Sequence, residues 1–196
     1  MNLALKEWAV VVEALAQGRQ TFLLRKGGIA ESRRGFELQS REFLFFPTWE
    51  HQQKDLVKPA FGELFASLEP RDPETIPFQY LCQVTDVIEA PRHVEQFSGL
   101  ADFHIWRQSY IDLRYEYRPE LPLFIVLTRT YRLPEPVPIA NNRRYRGCRS
   151  WVELSDDVPI GGARPLASDA EFASRRSSLL AAIEQAQATG KTRSSA

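Results

Sequence analysis

The sequence predicts an α+β domain: a small mixed or antiparallel sheet flanked by helices and closed off by a C-terminal helix. Three observations carry this prediction. The apolar segments divide into roughly five strand-like runs and three or four with helical spacing. Strand-like and helix-like segments do not alternate regularly, so a repeating parallel βαβ order is not expected. No linker of domain-boundary character interrupts residues 1–187, and there is no internal repeat. One domain over 1–187 is therefore expected, with residues 188–196, rich in Ser, Thr and Lys, as a disordered tail.

Asn2 can cap a first helix over residues 3–17, where Leu5, Trp8, Val12 and Leu15 recur at helical spacing and Gly18 marks the end. Gln20 to Arg25 reads as a buried strand running into a Gly27-Gly28 loop that stays basic to Gly35. Glu42 to Phe46 reads as a strand stopped by Pro47, followed by one or two short helices between Trp49 and Phe65 and a loop marked by Pro70, Pro73 and Pro77. Phe78 to Glu89 alternates Tyr80, Cys82 and Val84 with polar neighbours, as a half-buried strand does. A short helix near 92–98 follows, then a helix to about residue 113, although Ile111 to Tyr117 also alternates. Leu121 to Leu133 is the most hydrophobic segment and is expected as the central strand. Pro134, Pro136 and Pro138 then open a loop that runs to Gly147, and Ser150 to Leu154 forms a last strand. Ser168-Asp-Ala-Glu171 has capping-box spacing at the head of the closing helix.

At 196 residues with 43% hydrophobic composition, the chain can bury an adequate core without metals or disulfides. No stretch approaches the ~20 apolar residues of a membrane helix, and Lys6 and Glu7 make the amino terminus unlike a signal peptide, so a cytosolic location is expected. Cys82 and Cys148 are too few for a disulfide framework and read as buried thiols. The 25 basic residues balance 25 acidic ones, which argues against an indiscriminate polyanion binder. That sum conceals a pattern. Twenty of the basic residues are Arg, whose planar guanidinium binds phosphate bidentately and stacks on bases. They concentrate in two segments, Arg19–Arg41 and Thr128–Trp151, each with six basic residues against two and one acidic. A basic face on a neutral protein is compatible with this order, as is pairing of the Arg segments with acidic ones.

Walker, GxGxxG, GxSxG and HExxH signatures are all missing. His51, His93 and His104 do not have the spacing of a shared metal site, and no metal or cofactor is implied. Glu42, Glu50 and Lys54 form a weak grouping for a metal-dependent nuclease, which needs carboxylates for the metal and a cation for developing charge. Arg25-Lys26-Gly27-Gly28, at a strand end, has the character of a phosphate holder: glycine admits close backbone approach and the basic pair supplies charged donors. Trp106 with Arg107, Arg143, Arg144, Arg146 and Arg149 in a proline-rich loop, and Trp151 interleave aromatic and guanidinium groups, as single-stranded nucleic acid or a flipped base requires.

Over LALKEWAVVVEALAQGRQTFLLRKGGI (3–29), REFLFFPTWEHQ (41–52), FHIW (103–106) and GCRSWVEL (147–154), the chain resembles an uncharacterised bacterial family, domain of unknown function 1802. The resemblance extends to about residue 180 and names no activity, implying only a loose association with restriction-modification systems. More distantly the chain is similar to PUA-like domains of the ASCH and EVE type, which implies a pseudobarrel binding RNA or modified bases. ASCH domains carry Gly-x-Lys-x-x-Glu-x-Arg; Gly18 and Arg25 stand at the first and last positions, while Gln20 and Leu23 replace the Lys and Glu. The resemblance therefore implies ligand binding more than the amidohydrolase chemistry some members perform with that Lys.

Together these readings lead to a non-enzymatic module binding RNA or modified-base DNA, with Arg25, Lys26, Gly27, Trp106, Arg107, Arg143, Arg144, Arg146, Arg149 and Trp151 as ligand-binding residues. The alternatives are a metal-dependent nuclease or other restriction-system enzyme using Glu42, Glu50 and Lys54, and a protein-interaction module with an acidic partner. No membrane contact is expected, and the oligomeric state is not specified by the sequence.

Overall fold

The computed structural model describes residues 1–26, 36–68, 74–147 and 149–191. Its elements are β1 (Leu3–Trp8), α1 (Ala9–Ala16), β2 (Phe22–Arg25), β3 (Glu42–Thr48), α2 (Gly62–Ser67), β4 (Thr75–Glu89), α3 (Gln108–Glu116), β5 (Phe124–Ala140), β6 (Trp151–Glu153), β7 (Arg164–Pro165) and α4 (Asp169–Lys191). The sheet has seven strands in the order β2-β5-β4-β3-β1-β6, with β7 on the free edge of β5. Among the described residues β1 runs parallel to β3 and every other pairing is antiparallel. The fold is α+β with a mixed sheet and a C-terminal helix, as expected. The sheet is open, since β2 and β6 end the order without pairing to each other.

Both faces of the sheet are buried, and strand alternation assigns residues to each. Leu5, Phe43 and Phe45 enter one core with α1 and α4, whereas Ala4, Leu44 and Phe46 enter a second with Tyr145, Val152 and Val158. On β4 the assignment changes: Ile76 and Phe78 face the second core, Tyr80, Cys82 and Val84 the first. A period of two would keep 78 and 80 on one side, and the register shift between Phe78 and Tyr80 accounts for the change. Cys82 is fully buried, and burial pushes its thiol pKa well up; Cys148 lies outside the described residues.

Residues 3–8 are a strand, not the start of a helix. Leu and Ala favour helix, but β1 is paired on both edges, with β3 and β6, and that ladder overrides local propensity. The helix begins at Ala9 with no capping side chain at Trp8. Instead Gln52 Oε1 accepts the Val10 N–H at 3.0 Å, a cap supplied from the far side of β3 that leaves no local signature. Pro47 does not stop β3, which continues to Thr48 with Pro47 opposite Glu7. Pro77 lies within β4 and Pro134, Pro136 and Pro138 within β5, where loops were expected. Pro77 stands opposite Pro138, and among the described residues no strand pairs the outer edge of 133–140, so the missing donors cost no ladder bond there.

Residues 108–116 are helical, and the strand alternative at 111–117 is not adopted. The α4 capping box is present: Glu171 Oε2 accepts the Ser168 N–H at 2.9 Å, and Ser168 Oγ accepts the Glu171 N–H at 3.3 Å. The helix continues through 188–191, expected as tail, and 192–196 lie outside the described residues. Arg176 pins α4 to β4 through two bonds to Asp86, 2.7 and 2.5 Å, which hold that carboxyl below its ordinary pKa. No helix among the described residues is long and apolar enough to cross a membrane.

Gln20 is a structural residue. It is 3% exposed; its Nε2 donates to the Phe22 carbonyl at 2.9 Å and its Oε1 accepts the Ile105 N–H at 3.2 Å. Beside it His104 is buried among Phe22, Phe97 and Trp106. Burial, and secondarily the Lys58 charge, lower its pKa from 6.5 to about 3. The folded state therefore holds His104 neutral while the unfolded chain takes up a proton below about 6.5. Stability is expected to fall with a one-proton slope as pH drops from about 6.5 toward 3, measured by urea titration across that range. His104→Asn should flatten that limb, and an unchanged slope would show the imidazole is not desolvated.

Candidate functional site

The ends of β1 and β2, the turn after β3, one face of α3, Gly147 and the Arg149-Ser150 pair enclose a cleft of about 420 Å³. Lys6, Glu7 and Trp8 reach it from β1, and Arg25 and Lys26 from β2. Tyr110, Arg114 and Tyr117 form the α3 wall, Glu50 and His51 come from the turn, and Gly147, Arg149 and Ser150 complete the rim. His51 has a left-handed backbone, φ 61°, uncommon outside Gly and Asn and found at turns under local constraint.

Five cationic side chains thus meet two carboxylates. Two of the cations are paired. Arg25 Nη2 donates to Glu7 Oε2 at 2.8 Å and to the Lys6 carbonyl at 2.9 Å. Lys6 Nζ lies 3.4 Å from Glu50 Oε2, donates to the Gly147 carbonyl at 3.1 Å, and sits 5.6 Å from the Phe46 ring centroid. Among the described residues the other three have no carboxylate against them in the cleft. Lys26 is 2% exposed and donates to the Arg114 and Tyr115 carbonyls at 3.1 and 2.8 Å, capping the C-terminal end of α3. Burial, then the Arg114 charge, lower its pKa. Arg149 is exposed on the rim. Arg114 Nε and Arg25 Nε are buried atoms without a hydrogen-bond partner among the described residues. A buried donor left unpaired is costly.

The aromatic lining is partly committed to packing. Tyr110 lies between Trp8, with ring centroids 5.1 Å apart, and Trp106, stacked at 5.0 Å, so its two neighbours already occupy it. Tyr117 is 37% exposed.

Of the residues expected at a binding site, Arg25, Lys26 and Arg149 line this cleft together, and Glu50 joins them. Gly27 lies outside the described residues. Arg143, Arg144, Arg146 and Arg107 do not line it. Arg144 lies over the Tyr145 ring, 5.2 Å from its centroid, and helps seat a buried tyrosine whose hydroxyl meets Ser155. Arg107 Nε donates to the Val57 carbonyl at 2.9 Å. Trp106 and Trp151, expected to stack on a base, are 1% and 8% exposed. Trp151 packs edge-on to Phe43 and its Nε1 donates to the Glu37 carbonyl at 3.2 Å, so its ring and its donor both serve the core.

Glu42, Glu50 and Lys54 are not brought together. The seven residues of β3 hold Glu42 and Thr48 roughly 20 Å apart at about 3.3 Å per residue. Glu42 accepts from Gln83 Nε2 at 3.1 Å, and neither it nor Lys54 lines the cleft. Among the described residues no group of three or more His, Cys, Asp or Glu is placed to hold a metal ion.

Lys6, Glu7, Trp8, Tyr110 and Arg114 were missed as site residues by reading the sequence. The first three were assigned to a helix, which hid them. The α3 set has a signal in retrospect, since 110, 114 and 117 share one helical face.

No curated protein matches the chain in sequence. Three solved chains match in structure. Among the similar ones is the ASCH protein of Zymomonas mobilis, 11% identical at TM-score 0.44 over 90% of this chain and 94% of that one. A serine-to-alanine mutant of the Zymomonas mobilis protein is also 11% identical, with TM-score 0.46 over 78% and 87%. The family model for a domain of unknown function, DUF1802, matches residues 4–178, and the chain belongs to that family.

Proposed function

We propose that this protein is a nucleic-acid-binding module whose ligand, RNA or modified-base DNA, enters the cleft between β1, β2 and α3. The observation that carries this reading is the charge of the cleft: among the described residues Lys26, Arg114 and Arg149 have no facing carboxylate there. Arg25 serves chiefly to hold Glu7 and β1, and Lys26 holds the end of α3, so the direct phosphate contacts fall to Arg114 and Arg149. The exposed Arg143 and Arg146 extend the basic surface beyond the rim. A site for a polycation would need the reverse charge, and overall neutrality confines the attraction to this locality.

Fluorescence anisotropy with labelled RNA, single-stranded DNA and duplex DNA tests the reading. Two phosphate-neutralising arginines imply a log–log salt slope of about −1.4 for a single strand. Replacing both Arg114 and Arg149 with Ala should weaken binding at least tenfold and flatten the slope by about 1.4. Salt-insensitive or undetectable binding to all three probes overturns the proposal, and a stable complex with an acidic protein in that case would identify the other partner class.

A further inference from the structure

We propose that the protein's footprint is at least two consecutive nucleotides of a single strand, one in the cleft and its neighbour stacked on Tyr117 at the mouth; this rests on the nucleic-acid reading above. The cleft, about 420 Å³, is toward the lower end of the roughly 300–1,000 Å³ typical of small-ligand sites, so it takes one nucleotide-sized group and excludes a duplex. Its α3 wall is longer than that. Tyr110 and Tyr117 are seven residues apart, roughly 10 Å along the helix axis at 1.5 Å per residue. The inner end is closed to stacking, because Tyr110 is flanked by Trp8 and Trp106. The outer end is open: Tyr117 is 37% exposed, and Leu113, one turn before it on the same side of the helix, is 49% exposed.

These two belong to a small set, since among the described residues Val87 is the other large exposed hydrophobic. Tyr117 is exposed in the lining of a cationic cleft, and among the described residues neither side chain belongs to a hydrophobic core. Arg114 lies between Tyr110 and Tyr117 on the stripe and presents its charge to the phosphate joining the two units. The helix ends at Glu116, Tyr117 follows as its extended C-cap, and the left-handed backbone at Arg118, φ 49°, comes next. An aromatic face beside a guanidinium, open to solvent, matches an unpaired base and its phosphate; a base in a duplex has both faces occupied by its neighbours.

The experiment is competition against a labelled single-stranded hexanucleotide by a 5′-phosphorylated mononucleotide, the corresponding dinucleotide, the unlabelled hexanucleotide and its duplex. The dinucleotide should compete on the order of tenfold better than the mononucleotide. Tyr117→Ala should remove most of that gain, so that mono- and dinucleotide compete about equally, and Tyr117→Phe should retain it because stacking needs the ring and not the hydroxyl. Equal competition by mono- and dinucleotide, a gain that survives Tyr117→Ala, or a duplex that competes as well as the single strand overturns the two-unit footprint while leaving the nucleic-acid reading standing. Failure of the labelled strand itself to bind overturns both.

Discussion

Glu7→Gln is expected to destabilise the protein by about 3 kcal/mol and, in the same variant, to strengthen binding of a polyanion. Glu7 and Arg25 are 9% and 12% exposed, so their pair at 2.8 Å is poorly screened by water. Each Glu7 oxygen is used: Oε2 by Arg25, and Oε1 by the Trp8 N–H at 2.8 Å. Removing the charge leaves the guanidinium, among the described residues, with the Lys6 carbonyl and a neutral amide, and with Nε already unpartnered there. Breaking a buried pair from one side costs about 3–5 kcal/mol, and Gln keeps shape and one acceptor, which places the effect at the lower end. For a domain of this size that is a fall in Tm of roughly 6–12 °C. The cleft meanwhile gains one uncompensated positive charge, so single-strand affinity should rise and its salt slope steepen by up to about 0.7. Thermal melting and anisotropy on the same preparation check both halves. Arg25→Met added to Glu7→Gln should recover much of the stability and lose the gained affinity. A single variant that melts like wild type would show that water screens the pair.

That pair also shows which parts of the molecule were legible beforehand. Arg25 was identified because basic residues at a strand end beside glycines have a recognisable chemistry. Its partner was not, because Glu7 lies in a segment whose composition favours helix and whose strand state comes from β3 and β6, far along the chain. Strands with their own alternation or apolar run, such as 78–89 and 22–25, were readable, as was the closing helix with its Ser168–Glu171 cap. Prolines in β5 were misread because the cost of a missing N–H depends on whether an edge is paired, which is a property of the sheet. The arginine loop split for a similar reason: Arg149 reaches the cleft, whereas Arg144 covers Tyr145. Adjacency of aromatic and arginine in sequence fixes neither burial nor direction, and Trp106 and Trp151 turned inward.

Trp106 gives the sharpest contrast between a ligand platform and a core residue. Were it a platform, Trp106→Ala would abolish binding and leave melting unchanged. The structure predicts a loss of about 3–5 kcal/mol, or roughly 6–20 °C in Tm, from the cavity left behind. Trp106 is 1% exposed and stacks on Tyr110 at an interplanar angle of 16°, with Phe22 at 5.9 Å and His104 at 5.4 Å between ring centroids. Its backbone bridges to Val57, so the cavity left by the indole opens where α3, β2 and the segment before α2 meet. Binding should weaken as a consequence, because Tyr110 loses one of the two rings that hold the cleft wall. Trp106→Phe separates the two effects: it keeps an aromatic stack and removes an indole N–H that is buried without a partner among the described residues, offsetting part of the lost volume. The Phe variant should melt within a few degrees of wild type and bind normally. Undiminished Tm in the Ala variant, with binding lost, would place the indole in the site after all.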